Sequence, residues 1–409
     1  MTQFVIIGAG PAGMRAAEML RRGSSDADIL LIGDEPHLPY DRPPLSKSFI
    51  TDALPPSKTY LKPESFYAGE RIRLKLGVAA TQIDRAAKAV TLADGERVAY
   101  DKLLLATGCG ARALPPSLAT ALVHYLRSLA DAERIRAALR PGVSLVVIGG
   151  GFIGLEVAAS ARQLGATVAV LEMAPRLMAR AMPAVVSDFA RRLHERHGVR
   201  FELGAELLPL EPLPEGRAAI VTAAGRYEAD IVVAGIGAYP NTALAAAAGL
   251  VLEDGIRVDA CGRTSDPDIF AAGDVTRHEN PLLGRAIRVE SWQVALNQAG
   301  FVARAMLGAN EPYVEIPWLW TDQYDCNIQA LGFFDPELRL LLRGDPAGAS
   351  FTVLGLAADG PIAAAITVNN GRDMAVLRRL VTQRTILPQD ALADPTRKLS
   401  DLMRAARPA

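Results

Sequence analysis

Short apolar runs that end in glycine turns set the rhythm of this chain, and the same rhythm occurs twice. The first copy opens with the apolar strand Phe4-Val5-Ile6-Ile7 and the turn Gly8-Ala9-Gly10-Pro11-Ala12-Gly13, followed by a helical stretch. A second apolar strand, Ile29 to Ile32, ends at Gly33-Asp34-Glu35, a hairpin turn follows at Asp94-Gly95, and the run Leu103-Leu104-Leu105-Ala106-Thr107-Gly108 closes the copy. The second copy opens with Leu145-Val146-Val147-Ile148 and Gly149-Gly150-Gly151-Phe152-Ile153-Gly154. Its next strand, Val168 to Leu171, ends at Glu172, a turn falls at Gly225, and Ile231 to Gly237 closes it. Strand, glycine turn, helix, strand, acid, hairpin and strand, repeated, predict two similar domains built on βαβ units.

Between the copies, Ser128-Leu129-Ala130-Asp131 reads as a capping box opening a helix to about Arg140, stopped by Pro141-Gly142. After the second copy, Asp268 to Asp274 reads as a short buried strand ending in an acid. From about residue 313 the texture changes. Ser350 to Leu356 and Ile362 to Val368 flank Asp359-Gly360 as a hairpin, and a helix is expected from Asp373 to Arg384, which makes a small α+β module.

Length and composition narrow the function. A chain of 409 residues has room for two or three domains. Its 44 Lys+Arg balance 45 Asp+Glu, which gives no reason to expect a nucleic-acid binder or a charged tail. Cys109, Cys261 and Cys326 lie far apart, so no CxxC unit or disulfide framework can be read. No apolar stretch approaches the ~20 residues of a membrane span, and no basic segment precedes an apolar one at the start. The expectation is a soluble cytoplasmic protein that does not engage membranes.

A GxGxxG turn between strand and helix has a mechanical use. Its first glycine allows the tight turn, its second lets backbone approach a pyrophosphate, and its third lets helix and strand pack closely. The helix N-terminus adds partial positive charge, and an acid ~20 residues on takes ribose hydroxyls. Asp34 lies 21 residues after Gly13, and Glu172 lies 18 after Gly154. One such turn can arise for packing alone; two, each followed by a strand-terminal acid, predict that the chain binds two dinucleotides.

On these motifs the chain resembles the flavoproteins with two dinucleotide-binding domains. Within them it resembles the NADH-dependent ferredoxin reductases of bacterial oxygenase systems, of the putidaredoxin reductase and biphenyl-dioxygenase reductase type. The resemblance rests on Gly8 to Gly13, Tyr40-Asp41-Arg42-Pro43-Pro44-Leu45-Ser46-Lys47, Ala106-Thr107-Gly108, Gly149 to Glu156, Thr264 to Asp274 and Trp318-Leu319-Trp320-Thr321-Asp322-Gln323. It implies an α/β fold: two Rossmann-like domains, the second inserted in the first, and a C-terminal α+β domain. The expected boundaries are 1–112 with 240–312 for FAD, 113–239 for NADH, and 313–409 for the last domain.

The resemblance also implies the site residues. For FAD these are Gly8, Gly10, Pro11, Ala12, Gly13, Asp34, Glu35, Arg42, Lys47, Ala80, Ala106, Thr107, Gly108, Arg127, Gly273, Asp274, Glu290, Trp292 and Trp320. For NADH they are Gly149, Gly151, Phe152, Ile153, Gly154, Glu156, Glu172 and Gly237. Lys47 and Glu156 are the expected catalytic pair, meeting beside flavin N5. The implied activity is that of a ferredoxin–NAD(+) reductase: hydride from NADH to FAD, then single electrons to an acidic [2Fe–2S] ferredoxin that feeds a cytochrome P450 or a ring-hydroxylating dioxygenase. A monomer is expected. A rubredoxin reductase or NADH oxidase of the same fold, or an NADH-sensing interaction flavoprotein, are the alternatives.

Other residues have plainer readings. Disulfide reductases of this superfamily carry a cysteine pair just before the position of Lys47; this chain has no cysteine before residue 109, so thiol relay chemistry beside the flavin is excluded. His194-Glu195-Arg196-His197 is expected on a solvated helix face, and Cys109 as a small buried residue. Trp318 and Trp320 are expected on opposite faces of an extended segment, one of them core. Arg176 and Arg180 follow Glu172 and are expected to soften its repulsion of a 2′-phosphate. Arg372, Arg378, Arg379 and Arg384 read equally as a docking face for an acidic protein or as wet surface.

Overall fold

The computed structural model describes residues 1–52, 54–119 and 122–406, so Ala53, 120–121 and the last three residues of the 313–409 segment lie outside the described residues. The chain forms two compact units. One comprises Met1–Arg42, Pro55–Gly110 and Ala238–Pro317; the other comprises Pro43–Leu54, Ala111–Gly237 and Trp318–Ala409.

The first unit is built on a five-stranded parallel sheet in the order Ile269–Ala271, Lys102–Leu105, Gln3–Ile7, Asp28–Gly33, Ile72–Leu76. Apart from the alternating edge strand Ile72–Leu76, its strands carry apolar runs because both faces are covered. Phe4, Ile6, Ile29, Leu31, Leu104 and Phe270 face Ala16, Ala17 and Leu20 of the first helix (Pro11–Gly23) and Ala299, Val302 and Ala303 of the helix Trp292–Met306. The intervening Val5, Ile7, Leu30, Ile32, Leu103 and Leu105 join a second core under the hairpin sheet of Ala80–Asp84, Ala89–Leu92 and Arg97–Ala99. Burying one such aliphatic side chain contributes about 1.5–3 kcal/mol.

The second unit repeats the design. Its parallel sheet runs Arg200–Leu203, Thr167–Glu172, Ser144–Ile148, Ile231–Ala234, Val123–Tyr125. Leu145, Val147, Val168, Val170, Ile231 and Val233 take one core and Val146, Ile148, Ala169, Leu171, Val232 and Ala234 the other. The capping box forms as the sequence predicts: Asp131 N donates to Ser128 Oγ, Ser128 N donates to Asp131 Oδ2, and the helix spans Leu129–Ala138. An antiparallel sheet follows, ordered Trp318–Gln323, Cys326–Leu331, Ile362–Val368, Phe351–Leu356, Arg339–Gly344. One of its faces, with Ile328, Ala330, Val353 and Ile366, packs on Leu155, Val186 and Phe189, so the C-terminal sheet shares a core with the second glycine-turn domain. The helix expected from Asp373 to Arg384 spans Met374–Thr382, and two short helices, Gln389–Ala393 and Leu399–Ala405, follow it.

His194 departs from the solvated reading, and a second histidine shares its burial. His194 lies on the buried face of the helix Ala184–Arg196, not in solvent, because Val186, Ala190, Leu193 and His194 share one helical stripe. His278 is equally buried, and neither of its ring nitrogens has a hydrogen-bond partner among the described residues. Burial disfavours the imidazolium and pushes both groups down to about 4. A depressed folded-state value contributes stability that is present above the unfolded value of ~6.5 and is lost as pH falls through about 4. The first prediction is therefore acid lability between those limits, worth roughly 3 kcal/mol per histidine. Denaturant titrations across this range should show a smaller acid loss in His278→Phe than in wild type. An unchanged acid slope in that variant would remove His278 from the account.

Candidate functional site

The first glycine turn separates steric roles. A Cβ on Gly8, which sits at φ +114°, would lie 2.2 Å from the Ala106 carbonyl oxygen, and one on Gly13 would lie 1.9 Å from the Gly8 carbonyl oxygen. Protein backbone therefore enforces both glycines. Gly10 differs: its φ of −91° and ψ of −168° suit any residue, and a Cβ there meets nothing within 4 Å. The helix behind it begins at Pro11 and Ala12 with no side-chain cap and no acid in its first turn. Its N-terminal amides and positive dipole end thus point at space kept clear by Gly10, which fits a pyrophosphate.

Elements distant in sequence converge on this turn. A Cβ at Gly273 would lie 3.1 Å from that of Ala12, and Gly273 N is held by Gln298 Oε1 at 2.7 Å, which brings Asp274 to the helix start. Cys109 is buried as expected, with Sγ 3.4 Å from the Asp274 carbonyl. Thr107 is tied to Asn241 by reciprocal bonds of 2.8 and 2.9 Å, and Gly108 turns at φ +62°. At the end of the second strand Asp34 is exposed, while Glu35 accepts from the Tyr40 hydroxyl at 2.6 Å and from Arg42 at 3.1 Å. Trp292 Nε1 donates to Asp41 at 2.6 Å, and Glu290 accepts from Arg288 at 2.6 Å. Ala80 opens its hairpin strand beside a register shift.

The second turn has the same division. A Cβ on Gly149 (φ +106°) would lie 2.5 Å from Gly235 O, and one on Gly154 would lie 2.1 Å from Gly149 O. At Gly151 the nearest atom is 3.9 Å away and φ is −81°. Phe152 starts an uncapped helix, and Ile153 beside it is 44% exposed, a large apolar side chain left at the mouth of the turn. Arg127 N donates to Asp131 Oδ2 at 3.1 Å, just ahead of the capped helix. Glu172 is held in place by Gly150 N at 2.6 Å and Ala174 N at 2.7 Å.

Arg176 spends its hydrogen bonds elsewhere than on Glu172. Its guanidinium donates to Met182 O, Ser187 Oγ and Ala179 O, which commits it to the loop. Arg180 lies against Gly237, its Nη2 3.2 Å from where a Cβ would stand. A fixed carboxylate with its following arginine engaged elsewhere should reject a 2′-phosphate. The second prediction is a kcat/KM for NADH at least tenfold above that for NADPH, about 1.4 kcal/mol, with the ratio collapsing in Glu172→Ala. Equal values in wild type would contradict the role of Glu172.

Lys47 and Glu156 meet as the resemblance implies, Nζ to Oε1 at 3.1 Å. The segment Pro43–Leu54 that carries Lys47 belongs to the second unit, where Ile50 enters the core of the helix Phe152–Gln163. Ser46 Oγ donates to Glu156 Oε2 at 2.5 Å, Thr321 Oγ1 donates to Oε1 at 2.6 Å, and Ser160 Oγ holds Ser46 O at 2.7 Å. Burial pushes the Glu156 carboxyl up from its ordinary value, and Lys47, Ser46 and Thr321 oppose that shift. Ser46 and Thr321 carry no sequence signal as partners of Glu156, although they sit inside the Tyr40–Lys47 and Trp318–Gln323 motifs.

The two tryptophans do not oppose each other. Residues two apart in a strand share a face, and Trp318 and Trp320 stack with centroids 5.0 Å apart and both half-buried. Lys47 lies 5.8 Å from the Trp320 ring and Arg378 the same distance from Trp318. Arg372, Arg379 and Arg384 are exposed, Arg384 in an ion pair with Asp359 at 2.6 Å. Among the described residues no group of three His, Cys, Asp or Glu could hold a metal, and no helix is long and apolar enough to cross a membrane.

Two nucleotide-type turns and a lysine paired with a buried glutamate describe a dinucleotide-dependent oxidoreductase. The chain belongs to the pyridine nucleotide-disulphide oxidoreductase family, matched over residues 2–299, and carries a Reductase C-terminal domain over 318–403. It is 49% identical over 394 residues to the anthranilate 1,2-dioxygenase system ferredoxin–NAD(+) reductase component of Burkholderia cepacia, covering 96% of this chain and 97% of that one. It is 36% identical to putidaredoxin reductase CamA of Pseudomonas putida, covering 98% and 97%. Among solved structures it superposes on the reductase in a covalent putidaredoxin reductase–putidaredoxin complex, with a TM-score of 0.95, 36% identity and 99% of both chains covered. The ferredoxin reductase for the CYP199A2 system from Rhodopseudomonas palustris matches at a TM-score of 0.94 and 36% identity over 100% of both chains.

Proposed function

We propose that this protein is an FAD-dependent ferredoxin–NAD(+) reductase serving an oxygenase. The observation that carries the reading is the pair of uncapped helix N-termini behind Gly10 and Gly151, the two turn positions where the fold leaves room that it does not itself need. The first turn, with Asp34, Thr107, Gly273 and Asp274, would hold FAD; the second, with Glu172 and Ile153, would hold NADH. Bound FAD supplies a two-electron acceptor that takes hydride and releases electrons singly. Lys47 contributes fixed positive charge for the reduction step. Glu156, fully enclosed and held by three donors, keeps that ammonium in place.

No cysteine takes part. Pro43, Pro44, Leu45 and Ser46 precede Lys47, and all three cysteines are buried, with the Cys326 thiol pushed up to about 12. The electron acceptor is an acidic [2Fe–2S] ferredoxin, and the reductase works as a cytoplasmic monomer. The exposed arginines 372, 378, 379 and 384 support an acidic partner.

The test is NADH-dependent reduction of [2Fe–2S] ferredoxins with cytochrome c as terminal acceptor. The third prediction concerns salt: the ferredoxin KM should rise at least threefold between low and physiological ionic strength, as screening shortens the reach of the arginines. A KM that stays flat would remove the arginines from docking. Absence of turnover with every ferredoxin, alongside rapid oxygen consumption, would point to an oxidase.

A further inference from the structure

Glu156 stands at the end of a buried chain of hydrogen bonds that the reductase reading does not use. Thr321 Oγ1 donates to its Oε1 at 2.6 Å; Gln323 Nε2 donates to Thr321 Oγ1 at 3.2 Å; Gln323 Oε1 lies 2.9 Å from His194 Nε2; and the Tyr324 hydroxyl lies 3.3 Å from His194 Nδ1. Thr321, Gln323, His194 and Glu156 are each almost entirely enclosed. Tyr324 is pinned by His197, stacked on it at 3.6 Å and 8°.

Chemistry fixes the direction of this chain. An ionised carboxylate only accepts, so Thr321 spends its single proton on Glu156. Thr321 can then only accept, so Gln323 must turn its amide nitrogen toward it and its carbonyl toward His194. That carbonyl accepts only, which puts the imidazole proton on Nε2 and leaves Nδ1 to accept from Tyr324. Every donor points toward Glu156, and hydrogen bonds aligned in series polarise one another. A protonated Glu156 would no longer demand a proton from Thr321, and the order would lose its anchor.

We propose that Tyr324, His194, Gln323 and Thr321 form a one-directional positioning relay that keeps Glu156 ionised and seated against Lys47. The proposal rests on the reading that the Lys47–Glu156 pair serves hydride transfer. It deepens that reading by assigning a role to a histidine and a glutamine that belong to neither nucleotide turn. The charged and titratable groups facing the relay are Lys47 and, through it, Asp322 at the Glu156 end, and His197 and Arg162 at the Tyr324 end.

The experiment is anaerobic stopped-flow bleaching of the flavin by NADH across pH, in holoenzyme of wild type and of Thr321→Val, His194→Phe, His194→Gln and Glu156→Gln. Thr321→Val and His194→Phe should each slow bleaching by about threefold to tenfold and move the acid limb of the profile upward by roughly half a pH unit or more, with NADH affinity unchanged. His194→Gln, which keeps an N–H donor, should recover most of the rate. A structural role alone would lower FAD occupancy or thermal stability without moving the acid limb. Should His194→Phe fail to fold, the isosteric Thr321→Val carries the test. Wild-type rates and profiles in Thr321→Val, with Glu156→Gln slowed, would overturn the relay alone. A wild-type rate in Glu156→Gln would overturn the underlying reading and the relay with it.

Discussion

Gly10→Val should purify as a folded, colourless protein, and Gly151→Val as a yellow one that no longer uses NADH. The backbone at both positions lies in the extended region open to any L-residue; a Cβ at Gly10 meets nothing within 4 Å, and one at Gly151 meets only the Gly235 carbonyl oxygen at an ordinary 3.9 Å. The fold therefore has no need of glycine there; only a ligand approaching the helix N-terminus does. Filling that space should cost at least a hundredfold in affinity, about 2.7 kcal/mol, for FAD in one variant and NADH in the other. Gly13→Val is the contrast, since its Cβ would overlap the Gly8 carbonyl oxygen and the loss would be one of folding. Flavin absorbance against protein concentration, with circular dichroism for the fold, is the check. Stoichiometric FAD in Gly10→Val would refute the assignment of the first turn.

Removing either charge of the Lys47–Glu156 pair should be the largest effect on chemistry with cofactor still bound. Lys47→Ala leaves Glu156 enclosed with only Ser46 and Thr321 as donors, and loss of its cationic partner drives the carboxyl further toward the neutral form. Glu156→Ala releases the ammonium toward Asp322, which already stands 3.7 Å from it. Each change should slow flavin reduction by NADH about tenfold to a hundredfold, or 1.4–2.7 kcal/mol of barrier. FAD should remain bound. The double variant should lose less than the sum, because the pair acts together. Stopped-flow bleaching reads all three, and wild-type rates in both single variants would remove the pair from the mechanism.

The parts of this site that the sequence disclosed are those written as local patterns. Glycines at fixed spacing after Ile7 and Ile148, and acids ending the strands at Asp34 and Glu172, are short-range features whose geometry follows from the turn they make. Of the partners of Glu156 the resemblance supplied Lys47, but Ser46 and Thr321 were not legible, since they reach it from two stretches of chain 110 and 165 residues away. His194 was misread because Glu195 and Arg196 beside it are charged, although Val186, Ala190 and Leu193 already marked its stripe as buried. The tryptophans were misplaced by a period error: i and i+2 share a strand face. Nothing local to Pro43–Leu54 announces that Phe49 and Ile50 bury themselves in the second unit rather than the first.

Electrons are expected to pass from NADH through this protein to an iron–sulfur protein. Anaerobic reduction of the holoenzyme with one equivalent of NADH, followed by mixing with excess oxidised [2Fe–2S] ferredoxin, tests it most directly. Full return of the oxidised flavin spectrum is expected, with two ferredoxins reduced for each NADH consumed. A flavin that stays bleached in the presence of every such ferredoxin, and is reoxidised only when air is admitted, would contradict it.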